Sequence, residues 1–83
     1  MNDFMRINVY SLSGIQFEGE AISLNVMTRA GEITILDYHR PLVSILEKGK
    51  AVITKLNGVK EEFAINSGFL EMNPYNELTV LMQ

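Results

Sequence analysis

The residues of this chain that could do chemistry are few and badly matched to one another. Glu61 and Glu62 are its one adjacent acidic pair. In a strand, sequence neighbours point to opposite faces, so these two cannot share a proton or a metal ion. His39 is the single histidine, and there is no cysteine, so thiolate chemistry and cysteine-bound zinc are excluded and carboxylates alone remain as partner ligands. Ser11, Ser13, Ser23, Ser44 and Ser67 lack the setting of a nucleophile elbow. The glycines form neither GxGxxG nor GxxxxGK[ST], so no phosphate cradle can be argued. The expectation is a protein with no catalytic residue, no metal and no cofactor.

A scaffold must therefore carry the function. Eighty-three residues suffice for one domain, taken as 1–83, with 47% apolar and 20% charged residues, a balance that folds rather than staying disordered. The net charge of -3, with four lysines and three arginines scattered along the chain, provides no basic stripe for nucleic acid. No apolar run approaches the roughly 18 residues of a membrane span, and the N-terminus lacks the layout of a signal peptide. We expect no nucleic-acid partner, no direct membrane insertion and a cytoplasmic location.

The dominant period is two. In "AISLNVMT", Ile22, Leu24 and Val26 fall on one face and Ser23, Asn25 and Met27 on the other. The alternation recurs with Ile7 and Val9, Ile33 and Ile35, Phe63 and Ile65, and Leu78, Val80 and Met82. Turn signals separate these runs at Ser13-Gly14, Glu18-Gly19, Ala30-Gly31, Lys48-Gly49, Asn57-Gly58 and Asn73-Pro74. Asn57-Gly58 between two alternating runs predicts a hairpin with a type I′ turn. "PLVSILEKGK" also has helical spacing and end signals, but strand is the preferred reading. The sum is an all-β chain, a small flattened β-sandwich of about eight to ten short strands.

Between two apolar runs lies "DYHRP", residues 37–41. Arg40 without a partner in the core would cost several kcal/mol, so this segment must be an exposed loop. It is either a plain polar turn or a contact tip on a stiff scaffold, and periodicity does not choose.

Three stretches, "GEITILDYHRPLVSIL", "EEFAINSGFLEM" and "NELTVLMQ", together with the opening "INVYSLSGIQFEGE", resemble in order and spacing the N-terminal β-sandwich domain of the epsilon subunit of F-type ATP synthases, called delta in mitochondria. Thr34 stands where that family usually has Gly. "DYH" replaces its "PGH", which implies a less tight turn, and Asn66-Ser67-Gly68 keeps one of two usual glycines. No counterpart of the family's C-terminal helical hairpin follows "NELTVLMQ", as in a naturally short subunit or a shortened chain. The resemblance implies a non-catalytic rotor part on the inner side of the cell membrane that couples the gamma subunit to the c-ring. It assigns Glu32, Tyr38, His39 and Arg40 to the c-ring side, with Glu32 and His39 on adjoining loop ends. The surplus of apolar positions suggests a covered outer face, taken as the gamma side: Met27, Val43, Leu70, Met72 and Leu81; the alternative is that both faces of some strands are core in a closed, twisted sandwich. The competing reading is a stand-alone β-sandwich adaptor or a small-ligand binding module.

Overall fold

Alternation becomes strand pairing along the whole chain. A computed structural model, which describes residues 4–83, contains β1 (Met5–Ser11), β2 (Gly14–Thr28), β3 (Gly31–Leu36), β4 (Leu42–Leu46), β5 (Gly49–Lys55), β6 (Lys60–Ile65), β7 (Gly68–Met72) and β8 (Glu77–Met82), with no helix among the described residues. The segment with rival helical spacing is β4, as preferred: antiparallel pairing with β7 from Leu42↔Met72 to Leu46↔Gly68 overrides its local spacing.

The strands run in the order β1-β8-β7-β4-β2-β5-β6, β3 pairs with β2, and β1 also pairs with β2. The path β1-β8-β7-β4-β2 thus returns to β1, which gives the sandwich the partial closure of a flattened barrel. This is possible because the 15-residue β2 belongs to both layers. Its first half pairs with β1, from Ser11↔Gly14 to Met5↔Ala21, and its second half pairs with β3 and β5. Glu18-Gly19 is therefore not a turn, as its residue types predicted, but the interior of a continuous strand.

The change of layer is accompanied by a bulge. Ala21 pairs with Lys55 and Ser23 with Thr54, so Ile22 is an extra residue and the side-chain parity of β2 switches there. Ala21, Leu24 and Val26 point into the core, whereas Ile22 is 36% exposed, which corrects its expected place beside Leu24 and Val26. A second irregularity lies nearer the start of β2, where Val9 faces Phe17 but Tyr10 faces Ile15, so Gln16 is extra and Ile15 turns outward; in the other strands the alternation holds. Ile7, Val9, Ile35, Ile65, Leu78 and Val80 are buried, with Ile33, Phe63 and Met82 packed against them. β7 corrects two further assignments: Leu70 and Met72 are 0% and 1% exposed, so they are core, and its outward residues are Phe69 and Glu71.

The hairpin at Asn57-Gly58 forms, but with a different turn. Lys55 C=O accepts from Gly58 N at 2.9 Å, and Lys55 N donates to Val59 O at 2.9 Å. Gly58 has φ 85°, while Asn57 is not among the residues of positive φ. That is the three-residue loop in which a turn at Leu56-Asn57 is followed by a left-handed glycine, not a type I′ turn. Asn57 instead uses its side-chain oxygen to accept from Val59 N at 3.0 Å.

Gly68 has another role. A Cβ there would meet Leu81 O at 2.1 Å, so β8 lies against this position as it can against no other residue type. Gly58 has nothing within 4 Å of such a Cβ. We expect Gly58→Ala to destabilise by about 1 kcal/mol through its backbone angle alone, and Gly68→Ala by more, up to about 3 kcal/mol, because β7 and β8 must part. Urea titration of both variants checks this; equal losses would show that β8 yields without strain.

Candidate functional site

The polar segment 37–41 is an exposed loop, as the charge of Arg40 required, with Tyr38, His39 and Arg40 all accessible. His39 N donates to Leu36 O at 3.2 Å and closes a turn through Asp37 and Tyr38. Tyr38 sits at φ 57°, a left-handed angle that glycine adopts freely and tyrosine does not. With "DYH" in place of "PGH" the turn is hydrogen-bonded and places Tyr38 at the left-handed position. Two further contacts fix the loop: Tyr38 N donates to Asn76 Oδ1, and His39 Nδ1 donates to Arg40 O at 2.8 Å.

Neighbouring polar groups stiffen the same end of the molecule. Asn73 Oδ1 accepts from Tyr75 N at 2.8 Å and Glu77 N at 3.0 Å, so its side chain builds the β7–β8 turn. The carboxylate of Glu77 accepts from Asn73 Nδ2 at 3.2 Å and from Asn8 Nδ2 at 3.0 Å. Asn8 is buried, and this bond supplies the partner its amide needs. Asn8, Asn73, Asn76 and Glu77 went unrecognised among the candidates. The signal available was "NPYNE", two asparagines spaced by three around a proline, a pattern suited to side-chain-built turns.

Glu32 does not share this end. It pairs with Met27 at the start of β3, while the loop follows Leu36 at the other end. At ~3.3 Å per residue, Glu32 and Leu36 are about 13 Å apart along an extended strand. Glu32 and His39 are thus on opposite ends of β3, not on adjoining loop ends. Met27 and Glu32 are neighbours on the outer face of the layer containing β3, β5 and β6. That face is largely polar, with Asn25 Nδ2 donating to Thr34 Oγ1 at 2.8 Å and Lys50 paired with Glu62 at 3.4 Å, and Leu36 and Met27 are its partly exposed apolar members. Glu61 pairs instead with Lys55, at 2.8 Å, so the adjacent glutamates do face apart.

The outer face of the other layer is different. Register places Ile45 beside Phe69, Phe69 beside Leu81, Leu81 beside Tyr10 and Tyr10 beside Ile15, an apolar band across five strand segments. Phe69 and Leu81 are 51% and 49% exposed, and Val43, next to the band, is 73% exposed. Two open hollows of about 250 and 310 Å³ lie on it, the first lined by Val43, Phe69 and Leu81 among others, the second by Tyr10, Leu12 and Met82. Of the five residues assigned to a covered face, Val43 and Leu81 lie here, Met27 lies on the polar face, and Leu70 and Met72 are interior.

Tyr10, between Leu81 and Ile15 in the band, donates its hydroxyl to Glu18 Oε2 at 3.2 Å. Its pKa is raised above the usual phenol value, first by partial desolvation and second by this bond to a carboxylate.

The chain as a whole is similar to known proteins. The model of the ATP synthase delta/epsilon chain β-sandwich domain matches residues 4–83. The chain is 39% identical over 70 residues to the ATP synthase epsilon chain of Xylella fastidiosa, covering 84% of this chain and 50% of that one. It is 36% identical over 78 residues to that of Xanthomonas campestris pv. campestris, covering 94% and 55%. The chain thus spans about half the length of the curated relatives it matches. Its fold is shared with a chain in the Euglena gracilis mitochondrial ATP synthase (OSCP/F1/c-ring) at a TM-score of 0.91 and 17% identity, covering 99% of this chain and 52% of that one. A chain of the Tetrahymena thermophila mitochondrial ATP synthase central stalk and c-ring matches at 0.79 and 12% identity, covering 95% and 63%.

Two outcomes test this geometry. Replacing Tyr38 by Gly removes a left-handed side chain that is 66% exposed, and should raise stability by up to about 1 kcal/mol; a fall in Tm of several degrees would mean that the ring packs. Because the folded pKa of Tyr10 is raised, its contribution to stability is full below the unfolded pKa of about 10 and is lost as pH rises through the folded value. Spectrophotometric titration should place its ionisation above that of a free tyrosine, and Glu18→Gln should bring it down.

Proposed function

Because the chain belongs to the ATP synthase delta/epsilon family, we propose that it is a non-catalytic subunit of the central stalk of an F-type ion-translocating ATP synthase, coupling the gamma subunit to the c-ring on the cytoplasmic side of the membrane. The observation that carries this reading is the family match over residues 4–83, which includes both the polar loop and the apolar band. It supports a rotor part over a stand-alone adaptor or small-ligand module.

The two surfaces divide the work. Tyr38, His39 and Arg40 form a polar, projecting tip suited to the wet loops of a membrane-embedded ring. Glu32 makes a separate polar contact, one strand length away. The band with Phe69 and Leu81 at its centre, and Val43 beside it, offers gamma an apolar face, and Met27 lies outside that contact. A torque-transmitting part needs stiffness rather than an active site, and a doubly layered sheet with a hydrogen-bonded tip provides it. The chain has no phosphate-binding motif, so on this reading it neither hydrolyses nor tightly binds ATP alone.

Reconstitution of the complete enzyme with variants of this chain tests the division. Phe69→Thr with Leu81→Thr should abolish association with gamma while the chain still folds, losing no more than about 1–2 kcal/mol because both side chains are only half-buried in the chain alone and threonine suits a strand. His39→Glu with Arg40→Glu should leave gamma binding intact and weaken attachment to the membrane sector, by about 2–5 kcal/mol if the charges are desolvated at the contact. Glu32→Lys should add its own effect independently, within about 0.5 kcal/mol of additivity, because the sites are far apart. Normal coupled ion pumping by the tip variants would withdraw the c-ring assignment.

A further inference from the structure

The described residues include two non-glycine residues of positive φ, Tyr38 at 57° and Asn76 at 64°, and these two are hydrogen-bonded to each other. They are 38 positions apart in the chain. Left-handed backbone at ordinary residues persists where the surrounding structure over-determines it, and it gathers at functional sites. Here one side chain provides that determination. Asn76 Oδ1 accepts from Tyr38 N, Asn76 Nδ2 donates to Phe4 O at 3.0 Å, and Asn76 O accepts from Arg6 N at 3.2 Å. A single residue therefore joins the 37–41 loop, the β7–β8 turn and the entry to β1. Among the described residues, no other side chain from outside the loop hydrogen-bonds to it.

We propose that Asn76 is the positioning residue of the polar tip: through the Tyr38 amide it sets the direction in which Tyr38, His39 and Arg40 project, without touching the partner itself. The choice of asparagine follows from the geometry. The position requires a residue that tolerates a left-handed backbone, and its side chain must accept from one main chain while donating to another. Asp can accept but not donate, Gly can take the angle but do neither, and Ala fails on both counts.

The inference rests on the reading of the loop as the c-ring contact, and two variants separate its failure from that of the reading. In Asn76→Gly the backbone angle is retained without strain and the amide alone is lost. Hydrogen exchange on the full chain should then show the Tyr38 amide exchanging roughly five- to tenfold faster, as for one lost hydrogen bond, with strand amides of β7 and β8 unchanged. Asn76→Asp keeps the acceptor and should preserve most of the Tyr38 protection. In the reconstituted enzyme, Asn76→Gly should weaken coupling as the His39→Glu, Arg40→Glu variant does, though less, and Asn76→Asp should restore much of it. Unchanged Tyr38 protection in Asn76→Gly overturns the claim that the Asn76 side chain holds the loop through the Tyr38 amide. Lost protection with normal coupling, while the His39→Glu, Arg40→Glu variant uncouples, overturns the positioning role and leaves the reading intact. Normal coupling in every variant removes both.

Discussion

Ile22 is one residue too many in the pairing of β2 with β5, and the architecture depends on that surplus. The bulge lets a 15-residue strand leave β1, change layer and continue between β3 and β5. It also reverses the inward parity, so that Ala21 on one side and Leu24 and Val26 on the other all reach the same core. A strand of strict alternation could not do both: either Ala21 or the Leu24-Val26 pair would face water. With β2 shared, the two layers cannot slide independently, and the closed path through β1, β8, β7 and β4 follows.

Closure leaves two outer faces that differ in chemistry. One carries Lys50 with Glu62 and Asn25 with Thr34, pairs that are content in water. The other carries Ile45, Phe69, Leu81 and Ile15 in one transverse band, beside Val43, apolar surface that folding of this chain alone does not bury. The asymmetry lies in the chain itself: one outer face is largely satisfied by water and the other leaves side chains of Phe69, Leu81 and Val43 about half or more exposed.

The tip is rigid for a reason unlike that of the sheets. Its order comes from side-chain amides that act as extra main chain: Asn73 builds the β7–β8 turn, Asn8 and Asn73 hold the Glu77 carboxylate, and Asn76 holds the loop. Such bonds are directional and short-ranged, so they fix orientation where apolar packing would only fix proximity. Tyr38 keeps an unfavourable backbone angle because these attachments leave it no alternative.

The sequence by itself determined the all-β class, the buried members of most strands, the hairpin around Asn57-Gly58 and the exposure of residues 38–40. Each of these follows from period-two alternation, turn residues or the cost of a buried guanidinium, which are local properties. The strand at 42–46, preferred over a helix of equal local spacing, was decided by its pairing with β7. The resemblance to the epsilon family was legible because short glycine- and histidine-bearing stretches keep their order. What lay beyond local reading was everything set by pairing between distant segments. Ile22 turned outward because a bulge depends on the partner strand, and Leu70 and Met72 turned inward because the register of β7 is set by β4 and β8. The left-handed glycine follows a turn at Leu56-Asn57 because Val59 pairs back to Lys55. Glu32 and His39, seven residues apart in sequence, were separated by an extended strand, while Tyr38 and Asn76 were brought together from 38 positions apart. Only the tertiary structure decides such distances, because a hydrogen bond between remote segments is available only after the sheets have placed them.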